Sequence, residues 1–280
     1  LGIWVIVSLI PSYAEAFART RFDLAAVYFI GKKKYIENEV VFHINIIAIS
    51  TGIFIVALIF IFKDDIIQLL FNGELKNLTL IYAILPIIPL NFLFLNYSYL
   101  LISREDVENY NVMIVVRAII GSGGACLLLL IFDLGLWSVL VSSVISVLVA
   151  LILGIWRFNQ MNVNSKMTYK LNKNLLKDFF NYSYKLYIGG LISYLNLYIM
   201  KSLLSVYLSS AKVAFYSLAQ DRATLLDKLP TAVNILLYPR VSNSNELESS
   251  IVTIRAFRIL LILSTFTAIM LAIFIYPLVL

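Results

Sequence analysis

Residues 134–156 read LGLWSVLVSSVISVLVALILGIW, a run of 23 residues without a charged side chain. A helix needs about 20 predominantly apolar residues to cross the hydrocarbon core of a bilayer. Three further uncharged runs approach or exceed that length, at 44–62, 78–102 and 259–280. These runs are continuous rather than alternating, and a membrane helix satisfies its own backbone hydrogen bonds. Each run therefore predicts a transmembrane helix.

The composition of the whole chain agrees with this interpretation. Hydrophobic residues make up 61% of the 280 residues, charged residues make up 14%, and the mean hydropathy is +0.91. Soluble domains average roughly 45–50% apolar and about 25% charged residues. A single soluble core cannot bury so much apolar surface. Lipid must therefore be the solvent for much of this chain.

Four more apolar runs contain a few charges, at 1–18, 110–132, 182–208 and 213–238. With the uncharged runs they predict an all-α polytopic membrane protein with about eight transmembrane helices. Pro86 and Pro89 predict a kink in the third span, because proline removes a helical hydrogen bond. Residues 1–30 predict a single helix of about 30 residues. We expect Glu15, Arg19, Arg21 and Asp23 to lie at its solvated cytoplasmic end, held by local ion pairs.

The basic residues between the spans predict the orientation, since cytoplasmic loops are enriched in Lys and Arg. Alternate loops differ strongly in their content of these residues. One set contains Lys32, Lys33, Lys34, Arg104, Arg157, Lys166, Lys170, Lys173, Lys177, Arg240, Arg255 and Arg258, and the other contains Lys63, Lys76 and Lys212. The first set is predicted to be cytoplasmic.

The longest polar connection, at 158–177, predicts a boundary between two helical lobes. Residues 1–157 would form most of an N-terminal lobe without its first helix. Residues 158–177 would be a cytoplasmic linker, and residues 178–280 would begin a C-terminal lobe. We expect the chain to be an internal fragment of a longer protein.

Polar residues recur on one face of the predicted helix at 213–238, at spacings of four and three. They are Gln220, Thr224, Asp227, Thr231 and Asn234, with Asp221, Arg222 and Lys228 beside them. This stripe either lines an aqueous cavity or forms ion pairs that join helices. Both interpretations remain open.

Two cations lie inside other spans, where a charge is costly unless it faces protein or water. Lys201 shares a helical face with Tyr187, Tyr194 and Tyr198. It either contacts an anionic, sugar-bearing ligand or extends to the membrane interface. Arg117 either faces a cavity or extends to the membrane interface.

The intramembrane charges carry a positive surplus, which points to an anionic cargo. Arg117, Lys201, Arg222 and Lys228 outnumber Asp221 and Asp227. With one cysteine, Cys126, and one histidine, His43, the chain offers no intrachain disulfide and no ordinary zinc site. We expect no metal, no cofactor, no nucleic-acid partner and no enzymatic activity.

Several stretches are similar to Wzx-type polysaccharide flippases of the multidrug/oligosaccharidyl-lipid/polysaccharide superfamily. They are FDLA at 22–25, YFIGKKK at 28–34, VAFYS at 213–217, LP at 229–230 and YPRVS at 238–242. The resemblance implies that the chain covers the second to ninth helices of a two-lobed protein of 12 to 14 helices. It also leads us to expect glycine where Arg21 stands.

The resemblance further implies a flippase in the bacterial cytoplasmic (inner) membrane. Such a protein transfers an undecaprenyl-pyrophosphate-linked oligosaccharide, as in O-antigen synthesis, to the outer leaflet by alternating access of a cationic cavity. Its expected partners are this lipid-linked oligosaccharide, membrane lipids, H⁺ or Na⁺ as a coupling ion, and a glycan polymerase complex. The expected headgroup contacts are Arg117, Lys201, Arg222 and Lys228 with Tyr194 and Tyr198, and Asp221 and Asp227 would balance the charge or couple the ion.

Two other functions remain open. A multidrug/cation antiporter of the same superfamily would rely on buried carboxylates in the early helices, but the apolar spans before Asp133 contain essentially none beyond Glu15. A membrane glycan polymerase would usually carry a large external loop with catalytic residues. The longest external loop here, at about 63–77, is short.

Overall fold

A computed structural model describes residues 2–71, 78–160, 171–224, 230–231, 233, 237, 241 and 246–279. Within these residues the ordered elements are helices, with no strand. The elements are α1 (Gly2–Ala18), α2 (Phe22–Gly31), α3 (Glu37–Ile61), α4 (Lys63–Phe71), α5 (Leu78–Ile84), α6 (Ile87–Ser103), α7 (Val107–Ala118), a π-helical turn (Ile119–Gly123), α8 (Gly124–Phe132), α9 (Leu136–Gln160), α10 (Lys173–Tyr207), α11 (Ser210–Ala223) and α12 (Glu246–Val279).

Five of the described helical segments are long and apolar enough to cross a membrane. They are Glu37–Ile61, Thr79–Ser103, Val107–Phe132, Leu136–Gln160 and Ser249–Met270. The prediction of an all-α polytopic membrane protein is therefore confirmed. Two other predicted spans, 1–18 and 182–208, correspond to α1 and to part of α10. The span predicted at 213–238 falls partly outside the described residues.

The helix ends follow from local chemistry. The predicted kink at Pro86 is confirmed, because α5 ends at Ile84 and α6 begins at Ile87 with Pro86 as its N-cap residue. The Asp106 side chain accepts a hydrogen bond from the Asn109 N–H and caps α7. Asp133 adopts left-handed backbone angles, φ 47° and ψ 37°, which end α8.

Residues Leu1–Tyr216 form one compact unit, in which α6 packs against α2, α3, α7 and α9. Small residues let these helices approach closely, which is how membrane helices gain packing energy. A Cβ added to Gly52 of α3 would lie 2.9 Å from the Cα of Pro89 in α6. Beside the π-helical turn, a Cβ added to Gly124 would lie 3.3 Å from the Ser142 Cβ of α9.

The connections predicted to be cytoplasmic meet at one end of this unit. The Arg104 guanidinium donates two hydrogen bonds to the Glu37 carboxylate, at 2.6 and 2.7 Å, and lies 4.1 Å from the Phe158 ring centroid. Lys34 Nζ lies 2.5 Å from Asp178 Oδ2. Within this unit, the connections that carry Lys34 and Arg104 therefore lie on the same side as the end of α9 and the start of α10, as predicted. Their cytoplasmic orientation stays a prediction.

Residues Ser217–Leu280 form a second compact unit, which contains the end of α11 and all of α12. The predicted division at 157, 158–177 and 178–280 stays a prediction, and residues 161–170 of the linker lie outside the described residues.

Candidate functional site

The long helix predicted over residues 1–30 is interrupted at Arg19–Arg21, so that prediction is wrong. Arg21 adopts φ 58° and ψ 23°, the left-handed conformation that glycine accepts most readily. A right-handed helix cannot continue through such a residue. The chain therefore ends α1 at Ala18 and starts α2 at Phe22, with a short connection between them.

Arg19, in this connection, binds two carboxylates one turn away on either side. Its Nη1 donates to Glu15 Oε1 at 2.8 Å, and its Nη2 donates to Asp23 Oδ2. The exposed fractions of the Arg19, Glu15 and Asp23 side chains are 10%, 16% and 2%. The expected ion pairs are confirmed, but the expected solvated surroundings are wrong, because other helices cover this end of α1.

Glu15 joins three helices. Besides Arg19, it accepts a hydrogen bond from Asn91 Nδ2 of α6 at 3.1 Å and another from the Tyr194 hydroxyl of α10. A buried carboxylate is tolerated when cations and hydrogen-bond donors replace its water. Here a guanidinium, an amide and a phenol do so.

Arg117 of α7 extends toward the same cluster. Its guanidinium carbon lies 4.5 Å from the ring centroid of Phe94 in α6, the helix that also carries Asn91. The side chain is partly buried among α6 and α7. Three arginines, Arg19, Arg21 and Arg117, thus accompany two carboxylates, Glu15 and Asp23. The described cluster has a net charge of +1.

A seam of aromatic rings follows the contact between α1 and α10. The rings of Tyr194 and Tyr198 stack with centroids 5.8 Å apart, and Tyr13 lies 6.4 Å from Tyr198. The Tyr13 hydroxyl is 2.6 Å from Ser202 Oγ, and the Tyr187 hydroxyl donates to the Phe17 carbonyl. The tyrosines predicted to share a face of α10 therefore share it, and they face α1.

A small cleft opens beside the connection between α1 and α2. Its empty volume, including the open mouth, is about 280 Å³, and it is lined by residues 18–23 together with Thr51 and Asn96. Asp23 Oδ1 is buried and has no hydrogen-bond partner among the described residues. This oxygen can accept a proton or a hydrogen bond. The described residues contain no group of three potential metal ligands.

The other predicted site residues are placed only in part. The Lys201 side chain is buried, with 8% of the residue exposed. Asp221 is exposed, Gln220 is partly exposed, and the Thr224 hydroxyl donates to the Asp221 carbonyl. Thr231 is exposed. Asp227, Lys228, Asn234 and the side chain of Arg222 lie outside the described residues. The functional roles of all these residues remain predictions.

Sequence reasoning missed the importance of Arg19, Arg21, Asp23 and Asn91. The spacing of Glu15, Arg19 and Asp23 indicates ion pairs on one helix face but does not distinguish a solvated face from a covered one. The tyrosines on one face of α10 indicate that this face is covered, because buried tyrosine hydroxyls need hydrogen-bond partners. Glu15 of α1 is such a partner.

Comparison with known proteins adds one match. The model of a family described as "Polysaccharide biosynthesis protein" matches residues 1–280. No curated protein and no solved structure matches the chain.

Proposed function

We propose that this chain, which belongs to the polysaccharide biosynthesis protein family, is a flippase for a lipid-linked glycan. In this proposal it moves an undecaprenyl-pyrophosphate-linked oligosaccharide from the cytoplasmic to the outer leaflet of a bacterial inner membrane. Family membership supports a role in polysaccharide biosynthesis, and five candidate membrane spans support a transport role.

The observation that carries the proposal is the buried polar cluster at α1, α6, α7 and α10. Each charge inside an apolar bundle costs roughly 2.5–3.5 kcal/mol on insertion scales, so natural sequences seldom retain one without a use. Arginine binds phosphate oxygens with a bidentate geometry. A pyrophosphate linked to a sugar would find guanidinium groups and phenol rings together here.

In the proposed mechanism the prenyl tail stays in lipid while the headgroup enters the protein. Arg117, Lys201, Arg222 and Lys228, with Tyr194 and Tyr198, would contact the headgroup. Asp221 and Asp227 would balance these charges or bind H⁺ or Na⁺. The cargo shifts the protein between inward-open and outward-open states only if its contacts differ between them. Breaking the seam of α1 and α10 would provide such a difference.

The proposal is tested in cells that lack the gene. The complete wild-type protein should restore surface glycan, whereas Arg117→Ala and Lys201→Ala should block export while the protein stays in the membrane at a normal level. Lys33→Ala, at an exposed loop position, is the matched control and should restore export. Normal surface glycan with both test variants would refute these assignments.

A cation antiporter is the second candidate, and one observation favours it. Glu15 and Asp23 are buried carboxylates in the first two helices, and Asp23 Oδ1 has no described hydrogen-bond partner. An antiporter would need such groups to bind a proton or a metal cation. If wild-type protein confers drug resistance on a sensitive host, and Asp23→Asn abolishes it, this candidate replaces the flippase.

A further inference from the structure

Arg21 occupies a backbone conformation that an arginine does not favour. Its φ of 58° lies in the left-handed region, where a Cβ crowds the neighbouring carbonyl. Such strain persists where the surrounding structure enforces it, and it concentrates at ligand-binding positions. Glycine would relieve the strain at no steric cost. Lys33, Glu105 and Asp133 share this conformation, so what distinguishes Arg21 is the position of its side chain.

The Arg21 side chain lies in a notch on α10. Its guanidinium carbon is 5.5 Å from the ring centroid of Tyr194. A Cβ added to Gly190 would lie 2.7 Å from Nη2 and 2.8 Å from Nε of Arg21. The guanidinium therefore occupies the space that the missing Gly190 side chain leaves. The Tyr194 hydroxyl donates a hydrogen bond to Glu15, which fixes the ring that the Arg21 guanidinium faces.

The Arg21 guanidinium makes no direct ion pair with the neighbouring carboxylates. Glu15 and Asp23 both bind Arg19 instead. Across the part of the chain that the structure describes, Arg21 forms no ion pair. The residue is only partly buried, so an anion can reach it. A cation that is held on an aromatic ring and makes no direct ion pair is preorganised for an anionic ligand.

We propose that Arg21 is an anion-binding residue that receives the phosphate of the glycan-bearing lipid at the seam of α1 and α10. This inference rests on the proposed function and adds a residue and a binding geometry to it. The Gly190 notch positions the guanidinium, and the Tyr194 ring holds it by a cation–π contact. The strain at Arg21 is retained because glycine would remove the anion contact.

The experiment measures binding to the purified complete protein in detergent. The probes are geranylgeranyl pyrophosphate, geranylgeraniol and inorganic pyrophosphate. Arg21→Gly removes the cation and relieves the backbone, so its melting temperature should equal or exceed the wild-type value by up to about 3 °C. Its affinity for geranylgeranyl pyrophosphate should fall about 10-fold or more, the typical effect of losing a charged hydrogen bond.

Two pairs of variants provide matched comparisons. Gly190→Ala fills the notch and should weaken the same binding several-fold, whereas Gly189→Ala should not, because an added Cβ there meets nothing within 4 Å. Lys33→Gly is the control for strain relief, since Lys33 is an exposed cation with φ 52°. It should leave probe binding unchanged.

The outcomes separate this inference from the proposed function. Wild-type affinity in Arg21→Gly, or a binding loss accompanied by a lowered melting temperature, would overturn the role of Arg21 and leave the flippase proposal standing. Equal wild-type binding of geranylgeraniol and geranylgeranyl pyrophosphate would overturn both. Equally tight binding of inorganic pyrophosphate would overturn the lipid as the source of the phosphate.

Discussion

The hydroxyl of Tyr194 in α10 donates a hydrogen bond to the carboxylate of Glu15 in α1, 179 positions earlier in the chain. The same carboxylate binds Arg19 and Asn91. One residue thus connects the contact between α1 and α10 to α6, and the positive groups of the cluster are arranged around it.

Replacing Glu15 with Gln should destabilise the protein. The substitution leaves Arg19 with one carboxylate and weakens three hydrogen bonds, and breaking a buried ion pair typically costs about 3–5 kcal/mol. Because Glu15 keeps 16% exposure, we expect about 2–3 kcal/mol. The melting temperature in detergent measures the effect. Glu108→Gln, at an exposed position, is the control, and equal melting temperatures for both variants would refute the role of Glu15.

Gly52→Ala should separate α3 from α6. The added methyl group would lie 2.9 Å from both Cα and Cβ of Pro89, so backbone must move, and such overpacking costs about 1–3 kcal/mol. Gly123→Ala is the matched variant, since an added Cβ there meets nothing within 4 Å. Thermal unfolding should show a loss only for Gly52→Ala. A loss of the same size in both variants would mean that helix packing is not the cause.

Asn172 should be important for attaching the start of α10 to α3. Its Oδ1 accepts hydrogen bonds from the N–H groups of Asn174 and Leu175, its Nδ2 donates to Glu39, and its N–H donates to His43 Nε2. Losing an N-cap side chain costs about 0.5–2 kcal/mol. Hydrogen exchange at the first turn of α10 should therefore increase in Asn172→Ala. It should change little in Asn174→Ala, and equal exchange in the two variants would contradict the capping role.

The contact between Lys34, Tyr35 and Asp178 should depend on pH. Hydrogen bonds from Lys34 and Tyr35 lower the pKa of Asp178 below its ordinary 3.8. Loss of hydration and the hydrogen bond to Asp178 raise the pKa of Tyr35 to about 12. Because the pKa of the carboxyl group is lowered in the folded state, its ionisation stabilises the fold above pH 3.8. This stabilisation is lost as the pH falls further. Because the pKa of the Tyr35 phenol is raised in the folded state, its protonated form stabilises the fold below pH 10. This stabilisation is lost as the pH rises toward 12.

Comparison with Asp178→Asn measures the acidic limb. At pH 6 the wild type should melt at a higher temperature than the variant, and the difference should disappear as the pH falls well below 3.8. Both partners are partly exposed, so the difference should also shrink in high salt. A difference that persists unchanged at low pH would show that the charge of Asp178 is not its cause.

Much of the fold could be predicted from the sequence because membrane helices are specified locally. The lengths of the apolar runs and the positions of the charges predicted the helices between Glu37 and Gln160. Pro86 predicted the break before α6. The distribution of basic residues also grouped Lys34 and Arg104 at the same end. These features depend on neighbouring residues and on the bilayer.

The site was less predictable because the burial of its residues depends on which helices pack against each other. Arg19 lies 5.5 Å from the ring centroid of Tyr99 in α6, 80 positions later in the chain, and α10 packs against both α1 and α2 from more than 140 positions away. The interruption at Arg21 has no glycine or proline to mark it. The polar stripe at 220–234 includes Asp227 and Asn234, which lie outside the described residues, so its role stays a prediction.

Transfer of cargo between leaflets of vesicles that contain the complete protein tests the central claim most directly. The probe is a fluorescent prenyl-pyrophosphate disaccharide, and the same disaccharide on a prenyl alcohol is the comparison. Wild-type protein should transfer the pyrophosphate-linked probe faster than the neutral one, and Arg117→Gln should slow that transfer about 10-fold or more. Equal transfer of both probes, or an Arg117→Gln rate equal to wild type, would contradict a pathway in which buried cations receive an anionic headgroup.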